Sequence, residues 1–238
     1  MRWLLLVALC GCGRFAFDAR NDGAVDGAVD GAVDGPDPSL LAHLAFEPAG
    51  MFDDEAGNNV MCRGGCPTAA PGRVGAGAVA FDGTQCLEIA DAPAFHTPAL
   101  TVTIWANVVT PTQPFAELVA RALDGTTNNN NSYELWVSPS DEWVAGIALD
   151  AMLTSSLTPQ SWHHMALVFD GVTQTQYIDG VVVNQRSTAP ILNAASPTTI
   201  GCDIDFNSPV FHMTGLIDEV RIYARALSDA EIRAIVAL

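Results

Sequence analysis

Between positions 53 and 59 the chain reads Asp53-Asp-Glu-Ala-Gly-Asn-Asn59, a run dense in carboxylate and amide oxygens. Gly57 permits a sharp turn. Hard cations take about 6–8 oxygen ligands from carboxylates, carbonyls and water, so this loop is a candidate calcium ligand set. Hydrolytic chemistry is harder to place. Glycosidases aim two carboxylates at one bond, and residues two apart on a strand share a face. No Glu-x-Asp-x-x-Glu spacing occurs. Asp141-Glu142 and Asp218-Glu219 are adjacent, and Glu88 and Asp91 are three apart, so on a regular strand each pair points to opposite faces. His163 and His164 oppose each other for the same reason. No Gly-x-Ser-x-Gly nucleophile turn is present. The chain is therefore not expected to be an enzyme.

Two further residue types could matter. Cys62, Cys66, Cys86 and Cys202 allow three disulfide pairings. Gly64 and Gly65 would let Cys62 and Cys66 close a tight loop, and Cys86–Cys202 would clip distant strands together, so this pairing is preferred. A zinc site of four thiolates would need a second close pair, and export favours disulfides. Aromatic residues are the candidates for sugar stacking. Trp136 and Trp143 flank the stretch 138–142, and Tyr133 follows the run of Asn at 128–131. On the strand Tyr133–Val137, Glu134 and Trp136 share one face, a hint of a binding platform; the competing reading is that Trp136 covers the sheet edge or core.

Composition narrows the partners. The net charge is −17, and the ten basic residues include no Lys. Nothing could neutralise a run of phosphates, which argues against nucleic acid. The first twelve residues, Met1-Arg-Trp-Leu-Leu-Leu-Val-Ala-Leu-Cys-Gly-Cys12, read as an export signal. Leu9-Cys-Gly-Cys12 resembles a bacterial lipobox with Cys12 as the acylated residue, and Gly13 after it points to the outer membrane. The expected organisation is a signal and anchor over 1–17, an acidic low-complexity linker over 18–38, and one domain over 39–238. The linker repeats Asp-Gly-Ala-Val three times and offers too little apolar surface to offset its ordering entropy.

The elements that must position these residues are strands. Leu40–Phe46, Gly75–Phe81, Cys86–Ala90, Thr101–Val108, Tyr133–Val137, Val144–Leu149, Trp162–Phe169, Gln174–Ile178 and Val181–Asn184 carry apolar or alternating patterns. Asp170-Gly171 and Asp179-Gly180 mark hairpin turns. A last strand runs through Leu216, Val220 and Ile222. Ser228 followed by Glu231 is a capping box, so a short helix starts there. Short strands about every ten residues imply an antiparallel sandwich.

Several motifs, in order, resemble the laminin-G-like branch of the concanavalin A-like jelly rolls. They are Ala80-Phe-Asp-Gly83, Thr101–Ala106 ending in Trp105, Trp162-His-His-Met-Ala166, Tyr177-Ile-Asp-Gly180, Ile200-Gly201, and the closing Gly215-Leu-Ile-Asp-Glu-Val-Arg-Ile-Tyr223 with Arg225-Ala-Leu-Ser228. The resemblance implies an all-β, two-sheet antiparallel jelly-roll sandwich with a short C-terminal helix. It maps calcium ligands onto Asp54, Gly57, Asn58 and Asp218, with a structural role. It places His164 as an inward, hydrogen-bonded residue and His163 on the surface. It implies a binding module for a glycan or surface protein, membrane-attached through the lipid anchor alone. The alternatives are a structural module of the cell envelope or a carbohydrate-active hydrolase.

Overall fold

The computed structural model describes residues 37–123, 131–147 and 152–238. Cys12 and most of the linker lie outside the described residues. The first strands are β1 (Leu40–Leu44), β2 (Val60–Arg63), β3 (Thr68–Pro71), β4 (Gly77–Asp82) and β5 (Cys86–Ile89). They are followed by β6 (Leu100–Val108), β7 (Ala116–Ala122), β8 (Asn131–Val137), β9 (Glu142–Ile147) and β10 (Leu153–Ser156). Next come β11 (His163–Phe169), β12 (Thr173–Ile178), β13 (Val181–Ser187), β14 (Thr198–Ile200), β15 (Asp203–Asp205), β16 (Ser208–Val210) and β17 (Thr214–Tyr223). The helix α1 covers Asp229–Val236.

Two antiparallel sheets form the sandwich. One is ordered β13-β12-β11-β6-β17-β4-β3, with β1 also paired to β17, and the other β10-β9-β8-β7-β14-β5-β2. Alternation decides which side chains meet between them. On β6, Leu100, Val102, Ile104, Ala106 and Val108 enter the core shared by both sheets, while Thr101, Thr103 and Trp105 take the outer face. On β8, Tyr133, Leu135 and Val137 enter the same core, as Trp143 and Ala145 do from β9. The Asp179-Gly180 turn has φ of +50° and +78°, the left-handed pair that a two-residue hairpin needs.

Outer faces are also partly covered. The capping box forms as the sequence implies: the Ser228 hydroxyl accepts from the Glu231 N–H, and the Glu231 carboxylate accepts from the Ser228 N–H at 2.7 Å. It starts α1 so that Ile232 lands on Ala166, Val168, Tyr177 and Tyr223, on the outer face of the β11–β6–β17 sheet. Burying Ile232 completely contributes about 2–3 kcal/mol.

The same outer face holds His164. It stands opposite Trp105, with ring centroids 5.4 Å apart in an edge-on arrangement. Arg73 stacks 4.3 Å over Trp105. The expectation of an inward, hydrogen-bonded His164 with His163 outside is corrected. Met165, Leu167 and Phe169 enter the core, so His163 shares their side of β11. His164 points away from the core, is covered, and has no protein hydrogen bond at either ring nitrogen among the described residues. Burial, with Arg221 adding repulsion, pushes its pKa down to about 4.

Candidate functional site

A cluster of carboxylates forms on the outer face of the other sheet. All seven residues of β7 are buried. A bulge between Glu117 and Val119 sets Glu117 opposite Trp136 of β8. Glu134, two residues from Trp136, shares its face. Asp203 opens the β15–β16 hairpin immediately after Cys202. Glu117, Glu134 and Asp203 each place a carboxylate oxygen within 4.8 Å of the others. Asn131 ties two of them together, its amide donating to Glu134 Oε2 at 2.6 Å and to Asp203 Oδ2 at 3.1 Å.

Glu117 is the unusual member. It is fully buried, and among the described residues neither carboxylate oxygen has a hydrogen-bond partner of good geometry. The Leu135 N–H lies near enough to favour the charged form weakly, without hydrogen-bond geometry. Burial first, then Glu134 and Asp203, hold the Glu117 carboxyl well above the usual carboxylate range. Burial also lifts Glu134 to about 7, with the Asn131 hydrogen bond opposing it and Asp203 adding to it. Asp203 is raised chiefly by burial.

Aromatic rings flank the acids. Trp136, half-buried, lies 4.9 Å from the Phe115 ring, which lies 4.0 Å from Phe211. The Glu117 N–H donates to the Phe211 carbonyl at 2.9 Å, which ties this wall to the carboxylates. At the tip of the β15–β16 hairpin, Phe206 is 64% exposed. Chemically, the face offers rings for stacking and a set of oxygen donors with no sulfur or imidazole. It does not resemble a glycosidase pair. The three carboxylates converge on one point rather than flanking a bond, and Glu117 is closed to solvent.

A family profile described as the concanavalin A-like lectin/glucanase superfamily, of the laminin-G type, matches residues 81–233. The chain belongs to this superfamily. No curated protein matches it by sequence. Among solved structures, the chain is similar to domain 4 of AbnA, a GH43 extracellular arabinanase from Geobacillus stearothermophilus, in complex with arabinotriose. The TM-score is 0.62 at 19% identity, over 83% of this chain and 98% of that one. It is also similar to the binding domain of botulinum neurotoxin DC in complex with SialylT, with a TM-score of 0.63, 14% identity, and 84% and 51% coverage. The binding domain of Paraclostridial Mosquitocidal Protein 1 gives 0.60 at 15% identity, with 83% and 52% coverage. The match thus spans about half the length of the toxin domains. At these identities the likeness shows the concanavalin A-like fold, a lectin-type jelly roll.

On this concanavalin A-like scaffold the residues singled out in the sequence separate. Trp136 stands on the outer face, beside Glu134. Tyr133 and Trp143 do not join it, which corrects their assignment as ligand-binding residues. Both are core residues, 1% and 0% exposed, because Tyr133 alternates with Glu134 and Trp143 pairs with the inward Val137. Tyr133 instead hydrogen-bonds Thr198 at 3.1 Å inside the sandwich. The cysteines pair as 62–66 and 86–202. Cys86 and Cys202 pack with Ile204 and so fix the start of the hairpin that bears Asp203.

The expected calcium residues make hydrogen bonds to different partners, and the Asp218 Oδ1 is buried without one among the described residues. Asp54 Oδ1 accepts from the His43 N–H at 2.6 Å and the Ala56 N–H at 3.0 Å. Its Oδ2 accepts from the Asn58 N–H at 3.2 Å and from the Asn58 side-chain amide. Gly57 turns the loop at φ +88°. Asp218 Oδ2 accepts from the N–H groups of Arg73 and Val74 at 2.8 and 2.9 Å. Asp54 thus ties its loop to β1, and Asp218 ties the 72–76 segment to β17. Sequence reasoning missed Glu117 and Asp203. Glu117 lies in a strand without alternation, and the acids come from three strands. A rule that looks for carboxylates two apart on one strand cannot find them.

Proposed function

We propose that this protein is a non-catalytic carbohydrate-binding module of the cell envelope. The ligand lies on the outer face of the β10–β2 sheet, against Trp136. An acidic tether and a lipid at Cys12 hold the module at the outer membrane or cell surface. One observation carries the reading: the half-buried indole of Trp136 stands on the outer face beside the carboxylate of Glu134, the pairing of stacking ring and oxygen acceptor that suits a sugar ring and its hydroxyls. Two similar structures support it in kind. The arabinanase domain was solved with arabinotriose, and the neurotoxin domain with SialylT. The acidic balance favours neutral ligands over strongly anionic ones.

Affinity electrophoresis through gels containing arabinan or other neutral polysaccharides tests this. Retardation of the wild-type chain that Trp136→Ala removes supports the site. Retardation that Trp136→Ala leaves unchanged moves the ligand off this face.

A further inference from the structure

We propose that Glu117, Glu134 and Asp203 together bind a hard divalent cation of the calcium class, at a site separate from the Asp53–Asn59 loop. Geometry is the first reason. Calcium–oxygen bonds are about 2.3–2.6 Å long, so two oxygens on one ion lie no more than roughly 5 Å apart. The three carboxylates meet this limit mutually, with oxygens within 4.8 Å.

The second reason is Glu117 itself. An ionised carboxylate without solvent or hydrogen bond is costly unless a charge compensates it. Among the described residues no cationic side chain pairs with it. There is no Lys in the chain. Among the described Arg side chains, Arg63 pairs with Glu88, Arg121 with Asp91, Arg221 with Glu219, and Arg225 with Asp37 and Glu231; Arg186 lies on β13 and Arg233 on α1 against Gly180, both at the other sheet. Arg73 stacks on Trp105, on the other sheet.

The third reason is orientation. Asn131 holds Glu134 and Asp203 through one amide group, as outer groups hold metal-ligating carboxylates elsewhere. With oxygens alone in the set, the chemistry selects calcium, magnesium or manganese over zinc or copper. Irregular carboxylate geometry with water completing the shell suits calcium best among these. The inference stands apart from the glycan reading, since it needs no sugar.

The test uses calcium and terbium directly. Calorimetric titration of the chelator-treated full-length protein is expected to give one calcium per chain, reversed by chelator. At calcium near 100 times Kd, Tm is expected to rise by about 5–10 °C. Terbium in the same site is expected to show luminescence sensitised by Trp136, which faces Glu117. Glu117→Gln and Glu134→Gln are each expected to weaken binding at least about tenfold. Without metal, Glu117→Gln is expected to be about as stable as wild type, because burial already favours the neutral carboxyl there and Gln is neutral too. Should one variant fail to fold, the other carries the test. No calcium heat and no terbium emission from folded wild type would overturn the proposal and leave the cluster to protons. So would binding that both variants retain, which would put the ion elsewhere.

Discussion

Removing the Cys86–Cys202 bridge probes both the fold and the site. The bridge closes a loop with a sequence separation of 116. Loop-closure entropy for that length amounts to about 4.8 kcal/mol at 25 °C, whereas the separation of 4 in Cys62–Cys66 gives only about 2 kcal/mol. Both Cys86 and Cys202 are fully buried, so Ala is the better replacement, since Ser would bury two hydroxyls. The double variant Cys86→Ala/Cys202→Ala is expected to lose about 5 kcal/mol, and Cys62→Ala/Cys66→Ala well under half of that. In urea, with a slope of about 2–3 kcal/mol per molar, the first loss moves the midpoint by about 2 M. A second readout links this bridge to the site. Cys202 precedes Asp203, so the freed hairpin is expected to weaken calcium binding even where the protein stays folded. A midpoint within about 0.3 M of wild type, or equal effects of the two bridges, would refute the reasoning that the long loop is what the bridge constrains.

Other predictions follow from single residues. His164 titrates near 4 in the folded protein against about 6.5 unfolded, so the unfolded chain binds the extra proton between these values. Stability is therefore expected to fall as pH drops from 6.5 to 4, by about 3 kcal/mol in all; His164→Gln should flatten this limb in urea melts at stepped pH, and an unchanged slope would count against it. Gly201 sits at φ +82° against the ring of Phe81, so Gly201→Ala is expected to cost about 2–4 kcal/mol, read as a drop in the denaturation midpoint. Ser228→Ala removes the helix cap and is expected to cost about 1 kcal/mol, measurable by thermal melting, with no effect on ligand binding.

The sandwich was legible wherever a strand has one face inside and one outside. β6, β8, β11 and β17 alternate clearly, and the Asp-Gly turns and the Ser228–Glu231 box mark where strands and helix begin. The site was legible only in part. Alternation on β8 separated Glu134 and Trp136 from Tyr133, but the pairing of β9 with β8 was needed to send Trp143 into the core. Strand β7 is buried on both faces, so Glu117 sits beside Ala116, Leu118, Val119 and Ala120 with no period to mark it. Asp203 belongs to a strand of three residues, held in place by a disulfide rather than by pattern. The carboxylates meet through sheet order and a bulge, which spacing along one strand does not encode. The Asp53–Asn59 loop shows the converse: a dense run of acids in sequence whose Asp54 carboxylate serves backbone N–H groups.

A glycan array probed with wild-type protein and with Trp136→Ala, both shown to be folded, tests the central claim most directly. The account predicts binding to a restricted set of neutral glycans by wild type and loss of those signals in the variant. A blank array from folded wild type, or signals that the variant retains in full, would contradict it.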